Sequence, residues 1–223
     1  MTSEIPGPLR AARALRAGVA AVAAAMAYAA GWNYLACALF ITFDVVARSL
    51  FGFSSKATIE VTGYMLAGGI AWGLAHTLAR RAHIRVDVWV NRLPARLRAG
   101  LHLVSLLLLG GFAGFCAWAA WGLLDESLLF DAHDNSALRI PLALPQGVWG
   151  FGILAFCLMI AVLLLESAME LAFGEAGALD RLLGSRTLED ETEEALEAVD
   201  MARDASGGRS GGGHGSLDRP LSP

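Results

Sequence analysis

The sequence has little charge of either sign, and four long stretches have none. Asp, Glu, Lys and Arg make up 17% of the 223 residues, whereas hydrophobic residues make up 56%. The stretches without charge cover residues 17–43, 61–79, 99–124 and 142–165. A helix needs roughly 20 apolar residues to cross a hydrocarbon core of about 30 Å. The composition therefore excludes a soluble globular protein and predicts an all-α integral membrane protein with four transmembrane helices.

Motifs for catalysis and for metal or cofactor binding are also lacking. The three cysteines, Cys37, Cys116 and Cys157, all lie in apolar stretches, where buried thiols are far more common than disulfides or zinc ligands. The Gly52-Phe-Ser-Ser sequence lacks the second glycine of a nucleophile elbow, and no phosphate-binding loop is present. The sequence thus predicts no enzyme activity, no cofactor, no metal site and no nucleic-acid partner.

The middle of each span is interpreted as free of charged or strongly polar residues. A proton relay, an ion path or a site for an anionic substrate needs such a group or an unwound helix at that depth. We therefore expect that this chain does not carry a substrate across the membrane alone. A stand-alone small carrier or channel remains an alternative.

Basic residues are concentrated in alternate loops, which predicts the orientation. Nine of them precede the first span or lie between the second and third, and three lie in the other two short loops. By the positive-inside rule, both termini are expected in the cytoplasm. The nine are Arg10, Arg13, Arg16, Arg80, Arg81, Arg85, Arg92, Arg96 and Arg98, and the three are Arg48, Lys56 and Arg139.

The chain divides into three predicted regions. Residues 1–16 form a cytoplasmic N-terminal segment, residues 17–165 a four-helix transmembrane domain, and residues 166–223 an acidic, partly disordered cytoplasmic tail with five basic and thirteen acidic residues. The spans are placed at about 17–43, 58–79, 99–124 and 142–165. An interfacial segment, helical or extended, joins the second and third spans at about residues 80–94. In the tail, residues 187–204 are a candidate acidic helix capped by Thr187.

Charged residues near the predicted outer ends of the first two spans are candidates for a structural ion pair. Arg48 and Glu60 are equally distant from Ser54 in the short turn between the spans, so they are expected to meet. Asp44 lies four residues before Arg48, which suits an ion pair within one helix. Opposite charges near a bilayer are expected to pair because desolvating one alone costs several kcal/mol.

Small residues mark possible helix-packing faces. Gly69 and Gly73 form a GxxxG spacing in the second span, and Gly110 and Gly114 form another in the third. Such spacing lets helix backbones approach closely where lipid gives no hydrophobic drive. Packing within this chain and docking to a partner are both open for these glycines.

Two histidines give a redox alternative. His76 and His102 lie near the same predicted end of neighbouring spans, and two imidazoles at one depth are able to hold a haem. A lone histidine on a helix more often makes an ordinary hydrogen bond at the interface. A b-type cytochrome or other redox membrane subunit is therefore kept as an alternative function.

Several short sequences resemble the small membrane subunit (DctQ type) of tripartite ATP-independent periplasmic, or TRAP, transporters. They are Arg48-Ser-Leu-Phe-Gly52, Glu60 at the start of the second span, His83-Ile-Arg-Val-Asp87 followed by Leu93-Pro94, and Ile140-Pro141 before the fourth span. The resemblance covers roughly residues 15–170. It implies architectural roles for Arg48, Glu60, His83 and Asp87.

The resemblance also implies partners, a location and a function. The partners are a large multi-helix permease subunit, which holds the substrate and sodium sites, and a soluble periplasmic protein, which delivers an organic acid. The small subunit is expected to brace the large one in the bacterial inner membrane. The substrate itself is not indicated by the sequence, since selectivity is expected to lie in the partners.

Overall fold

A computed structural model describes residues 7–53, 57–81, 93–135 and 138–172, together with 192, 195–196 and 199–201. The first four ranges are almost wholly helical. Within these four ranges, four helices follow one another: α1 (Gly7–Phe51), α2 (Thr58–Ala79), α3 (Ala95–Leu129) and α4 (Ala143–Ala172). The chain divides into two compact units, residues 1–185 and 186–223. The described residues of the second unit are helical and exposed. Thr187 and the glycine-rich stretch of the tail lie outside the described residues.

Three of the four helices are long and apolar enough to cross a membrane: α1, the 97–129 part of α3, and α4. The helix α2 has 22 residues, which corresponds to about 33 Å at 1.5 Å per residue. Its most apolar 18-residue stretch has a lower mean hydropathy than those of the other three helices, and the helix contains four glycines, three threonines, Glu60 and His76. Length therefore permits α2 to span a bilayer, whereas its hydropathy alone does not mark it as a span.

The helices extend beyond the stretches without charge. Helix α1 begins ten residues before residue 17, because Arg10, Arg13 and Arg16 are good helix formers, and it ends where Gly52 adopts a positive φ of 71°. Helix α3 begins after the N-cap Pro94 and continues through Asp125 and Glu126 to Leu129. The predicted spans thus correspond to the apolar parts of α1, α3 and α4, and these helices continue beyond them, whereas the predicted span 58–79 coincides with α2.

Helix α4 is the centre of the bundle. It packs against each of the other three helices, and α1 also packs against α2. The core lies where α4 meets the others, and Met159 and Ser167 of α4 are fully buried. Its main apolar members are Ala23, Ala75, Leu78, Ala99, Leu106, Ala113, Phe156, Met159, Ile160 and Leu163.

Helix α3 packs mainly against α4, along one narrow stripe. The buried residues of that stripe recur every seven positions, as in a coiled-coil seam. Those residues are Ala99, Leu106, Ala113, Ala120 and Ser127. The rest of the α3 surface is apolar and exposed within this chain, with residues such as Leu108, Phe112, Phe115 and Trp118.

The described part of the connection between α3 and α4, residues 130–135 and 138–142, is held by backbone hydrogen bonds. His133 and Pro141 form an antiparallel bridge, and the Asp134 N–H donates to the Ile140 carbonyl over 2.9 Å. The Tyr64 hydroxyl of α2 donates to Asp134 Oδ2 over 2.7 Å. The loop is therefore held to α2 as well as to the two helices that it joins.

Candidate functional site

Four charged side chains form a cluster where the N-terminal part of α1 meets the C-terminal part of α4. We call it the arginine–glutamate cluster. Arg13 Nη2 lies 3.2 Å from Glu170 Oε1, Arg16 Nε lies 2.7 Å from Glu166 Oε2, and Arg13 Nε lies 3.8 Å from Glu166 Oε1. Glu166 is 1% exposed, whereas the arginines are about 40% exposed. The cluster fixes the start of α1 beside the end of α4.

The spacing of the charged residues contains a signal for this cluster, although the cluster is not among the sequence predictions. Arg13 and Arg16 are three residues apart, and Glu166 and Glu170 are four apart, so each pair occupies one helix face. Burying the glutamates without partners would cost several kcal/mol each. The glutamates near the end of α4 therefore need positively charged partners on the same predicted side of the membrane. The arginines near the start of α1 are those partners.

The far part of α1 carries a second charged contact. Arg48 Nη2 donates to Asp44 Oδ2 over 2.7 Å, and Asp44 is buried while Arg48 is exposed. No ion pair joins Arg48 to Glu60 among the described residues, so the expected pair between α1 and α2 is not found. The nearer carboxylate, one turn back on the same helix, takes the guanidinium instead. Glu60 Oε2 is buried without a hydrogen-bond partner.

His83 and Asp87, the two predicted site residues of the α2–α3 connection, lie outside the described residues. The same holds for most of the predicted interfacial segment. Its described ends are Arg80 and Arg81 after α2, and Leu93 and Pro94 before α3.

Only one glycine of each GxxxG pair packs closely within the chain. A Cβ at Gly69 would lie 2.8 Å from Tyr34 Cζ, and a Cβ at Gly110 would lie 3.1 Å from Ile160 Cγ2. A Cβ at Gly73 or Gly114 would meet nothing within 4 Å. Gly69 therefore serves the α1–α2 contact and Gly110 the α3–α4 contact, while Gly73 and Gly114 face open space in the isolated chain.

A close approach between α2 and α4 occurs at Gly152, which is not among the glycines predicted from the sequence. A Cβ at Gly152 would lie 2.6 Å from the backbone carbon of Ala71. Beside it, the Trp72 indole N–H donates to the Val148 carbonyl over 2.8 Å, and a Cβ at Gly68 would lie 3.2 Å from Val148 Cγ1. Gly152 belongs to no GxxxG pair with the predicted glycines, which explains why spacing alone did not indicate it.

One polar residue lies near the middle of the first span, contrary to the interpretation from the sequence. Asn33 Nδ2 donates to the Met65 carbonyl of α2 over 2.6 Å. A Cβ at Gly69 would lie 3.1 Å from the same nitrogen, so the glycine leaves room for the amide. Asn33 is therefore satisfied by the neighbouring backbone and joins α1 to α2.

The remaining candidates are separated in space. His102 is buried on α3, whereas His76 lies on α2, and these helices share no extensive contact. The described residues contain no group of three His, Cys, Asp or Glu side chains that could hold a metal ion. The described geometry is therefore one of helix-packing contacts and ion pairs at helix ends.

The chain also matches a known protein family. The family model described as "Tripartite ATP-independent periplasmic transporters, DctQ component" matches residues 37–170, more than half of the chain. The chain belongs to the DctQ family. The resemblance drawn from the sequence is thereby confirmed. No curated protein and no solved structure matches the chain.

The DctQ match includes the end of α1, all of α2 and α3, and most of α4. DctQ is a component of a transporter and not an enzyme family. Asp44, Gly69 and Gly152 lie inside the matched region, as do Glu166 and Glu170. Arg13 and Arg16 lie before it, so half of the arginine–glutamate cluster is outside the matched segment.

Proposed function

We propose that this DctQ protein is the small membrane subunit of a TRAP-type secondary transporter for organic acids. In this proposal uptake is coupled to Na⁺, a periplasmic binding protein delivers the substrate, and the chain acts as a scaffold for the large permease subunit. The family match over residues 37–170 carries the proposal. The scaffold role fits a bundle whose described interior contacts are close packing and ion pairs.

We further propose that all four helices cross the inner membrane, with both termini in the cytoplasm. Helix α2 packs against two helices that are apolar enough to span, α1 and α4, over a length of about 33 Å. An even number of spans leaves both termini on one side, which suits the pairing of Arg16 near the start of α1 with Glu166 near the end of α4. The nine-to-three distribution of basic residues supports a cytoplasmic location for that side.

Cysteine labelling tests the topology. In a variant without the native cysteines, Asn135→Cys is expected to react with a membrane-impermeant maleimide in whole cells, and Ser206→Cys only after the cells are lysed. The opposite pattern would contradict the proposed orientation.

Reconstitution tests the scaffold role. Uptake of an organic acid into liposomes is expected to require this chain, the large subunit, the binding protein and a Na⁺ gradient. Uptake that persists without this chain would contradict the proposal. The substrate affinity of the binding protein alone is expected to be the same whether or not this chain is present.

A further inference from the structure

A cleft on the side of the bundle is lined by residues of three helices, α1, α2 and α4. Its volume is about 270 Å³, which is room for several water molecules at about 30 Å³ each. Most of the lining is apolar, but two side chains in it carry groups that form hydrogen bonds with water. Among the lining residues are Asn33 of α1, Tyr64, Met65 and Trp72 of α2, and Pro145 of α4.

One end of the cleft lies at the connection between α3 and α4. Pro145 belongs to the first turn of α4, and the Tyr64 hydroxyl donates to Oδ2 of Asp134 in that connection over 2.7 Å. From Tyr64 to Trp72 the rise along α2 is about 12 Å at 1.5 Å per residue. This is less than half of a hydrocarbon core of about 30 Å. In the proposed topology, on which the inference rests, the cleft therefore extends from the periplasmic surface into the outer leaflet.

Asn33 brings an open hydrogen-bonding group into the cleft. Its Nδ2 donates to the Met65 carbonyl over 2.6 Å, and the side chain makes no other hydrogen bond among the described residues. The Oδ1 atom has two lone pairs and is not fully buried. An amide oxygen that faces acyl chains loses the hydrogen bonds that it makes in water, whereas water in the cleft restores them.

Tyr64 adds a second polar group nearer the end of the cleft. Its hydroxyl donates to Asp134, and the hydroxyl oxygen keeps lone pairs that accept hydrogen bonds. Tyr64 directly precedes Met65, whose carbonyl holds Asn33, so the two polar groups lie near each other along α2. A bound water needs two to four polar partners, and these side chains supply them. An acyl chain in the same space would leave the Asn33 oxygen without a partner.

We propose that this cleft is a water-filled crevice that opens to the periplasm, with water bound to Asn33 Oδ1 and to the Tyr64 hydroxyl. Polar side chains at membrane depth face the interior of a bundle or a water-filled cavity, and Asn33 does both. The crevice accounts for a polar residue in the first span. It is additional to the proposed scaffold role, because it brings the periplasmic solution between helices of the bundle.

Two neighbouring cysteine variants of the full-length chain without its native cysteines test the proposal. Met65 lines the cleft and is partly buried, whereas Leu66, at nearly the same depth, is 43% exposed and lies outside the cleft. A charged, membrane-impermeant methanethiosulfonate added to whole cells is expected to modify Met65→Cys about tenfold faster than Leu66→Cys, because the reactive thiolate forms in water and not in lipid. Equal rates, or a faster rate at Leu66→Cys, would overturn the proposal.

Replacement of the amide tests the role of Asn33. In the Met65→Cys background, Asn33→Leu keeps a side chain of similar size but removes the polar group, and it is expected to lower the modification rate about tenfold. Asn33→Ser is the control, because its hydroxyl still binds water, and its rate is expected to stay within about twofold of the parent. Thermal unfolding of each variant checks that it is folded. An unchanged rate in a folded Asn33→Leu variant would refute the assignment of water to Asn33.

Two further measurements separate this proposal from the proposed function. If the topology is reversed, Met65→Cys will react faster than Leu66→Cys in inverted vesicles and not in whole cells, which contradicts the orientation and supports the crevice. If Met65→Cys reacts in the chain alone but is protected when the large subunit is co-expressed, the cleft is a protein interface, and the water-filled crevice is refuted while the scaffold role is supported.

Discussion

Helices α2 and α3 are joined to α4 in different ways. The α2–α4 contact is a close backbone approach, with Ala71 against Gly152 and the Trp72 indole bonded to the Val148 carbonyl. The α3–α4 contact is a stripe of side chains that recur every seven residues, with Gly110 its one close approach. Helix α2 also packs against α1, whereas α3 has α4 as its main neighbour.

The difference indicates how the surface of a small scaffold subunit is divided. Between helices in lipid, association depends on packing and interhelical hydrogen bonds, because lipid tails are as apolar as the side chains. The α1–α2–α4 group has both kinds of contact within the chain. Helix α3 has one narrow contact and leaves most of its apolar surface free. A substitution in the α1–α2–α4 group is therefore expected to destabilise the whole bundle. A substitution in the α3 stripe is expected to affect mainly the attachment of α3.

The largest effect is expected from Gly152→Ala. Its Cβ would lie 2.6 Å from the Ala71 backbone carbon, and backbone cannot rotate away as a side chain can. Overpacking typically costs 1–3 kcal/mol, and we expect a loss of about 3 kcal/mol in the free energy of unfolding. Tryptophan fluorescence during thermal unfolding in detergent measures it. The control is Gly150→Ala on the same helix, where a Cβ meets nothing within 4 Å; equal losses in both variants would contradict the close approach.

The next effect concerns the α3 stripe. Leu106 is 4% exposed, whereas Leu108, two residues on, is 71% exposed. Leu106→Ala leaves a cavity against α4. Because lipid is about as apolar as the protein interior, burying the side chain gains little transfer free energy. We therefore expect the free energy of unfolding to fall by about 2 kcal/mol, at the lower end of the range for buried leucines. Leu108→Ala in the isolated chain is expected to cost less than about 0.5 kcal/mol. The rate at which a disulfide forms between cysteines placed on α3 and α4 shows whether α3 alone separates from the bundle. Similar rates in the two variants would contradict the description of the α3 contact as a narrow stripe.

Sequence reasoning found the helices and the family but only part of the packing. Length and lack of charge suffice to locate α1, α3 and α4, because an apolar run of that length has few other stable environments. Helices α1 and α3 continue past their charge-free stretches because charged residues such as Arg13 and Glu126 form helix as readily as apolar ones. Gly152 could not be distinguished from Gly150 by sequence, since only the crossing of α2 and α4 decides which glycine faces Ala71.

The ion pairs also show that contacts within one helix can be predicted from the sequence, whereas contacts between distant helices cannot. The Asp44–Arg48 contact depends only on helix geometry, so the i,i+4 spacing indicated it. The Arg48–Glu60 pair was inferred from symmetry about a turn, and rotation of either helix about its axis is enough to prevent it. The pairing of Arg16 with Glu166 joins residues 150 positions apart, which no spacing rule predicts.

A smaller effect is expected from Glu166→Gln. The substitution removes the buried negative charge that pairs with two half-exposed arginines. Because solvent can then hydrate the arginines, the loss in the free energy of unfolding is expected to be below the 3–5 kcal/mol of a broken buried pair. We expect about 1 kcal/mol, decreasing as salt screens the exposed partners. Glu126→Gln on the exposed face of α3 is the control, with a change near zero. Equal changes in the two variants, measured as shifts in thermal unfolding at low and high salt, would show that the cluster does not stabilise the bundle.

The smallest effects separate the two glycines of one GxxxG pair. Gly69→Ala gains about 1 kcal/mol in helix propensity. Its Cβ would also clash with Tyr34 and with the Asn33 amide. The interhelical hydrogen bond of that amide is worth about 0.6 kcal/mol in a membrane. Because Tyr34 is partly exposed and is able to move, we expect a net loss of less than about 1 kcal/mol in the isolated chain. Gly73→Ala meets no atom and is expected to raise its stability by up to about 1 kcal/mol.

The two variants also distinguish which face the large subunit covers. If Gly73 packs against the large subunit, Gly73→Ala stabilises the isolated chain yet weakens co-purification with that subunit, a combination that Gly69→Ala is not expected to show. If Gly73 faces lipid, co-purification stays at the wild-type level while the gain in stability remains. A loss of stability in the isolated Gly73→Ala variant would contradict the open space beside that residue. It would also contradict the assignment of Gly69 alone to the contact between α1 and α2.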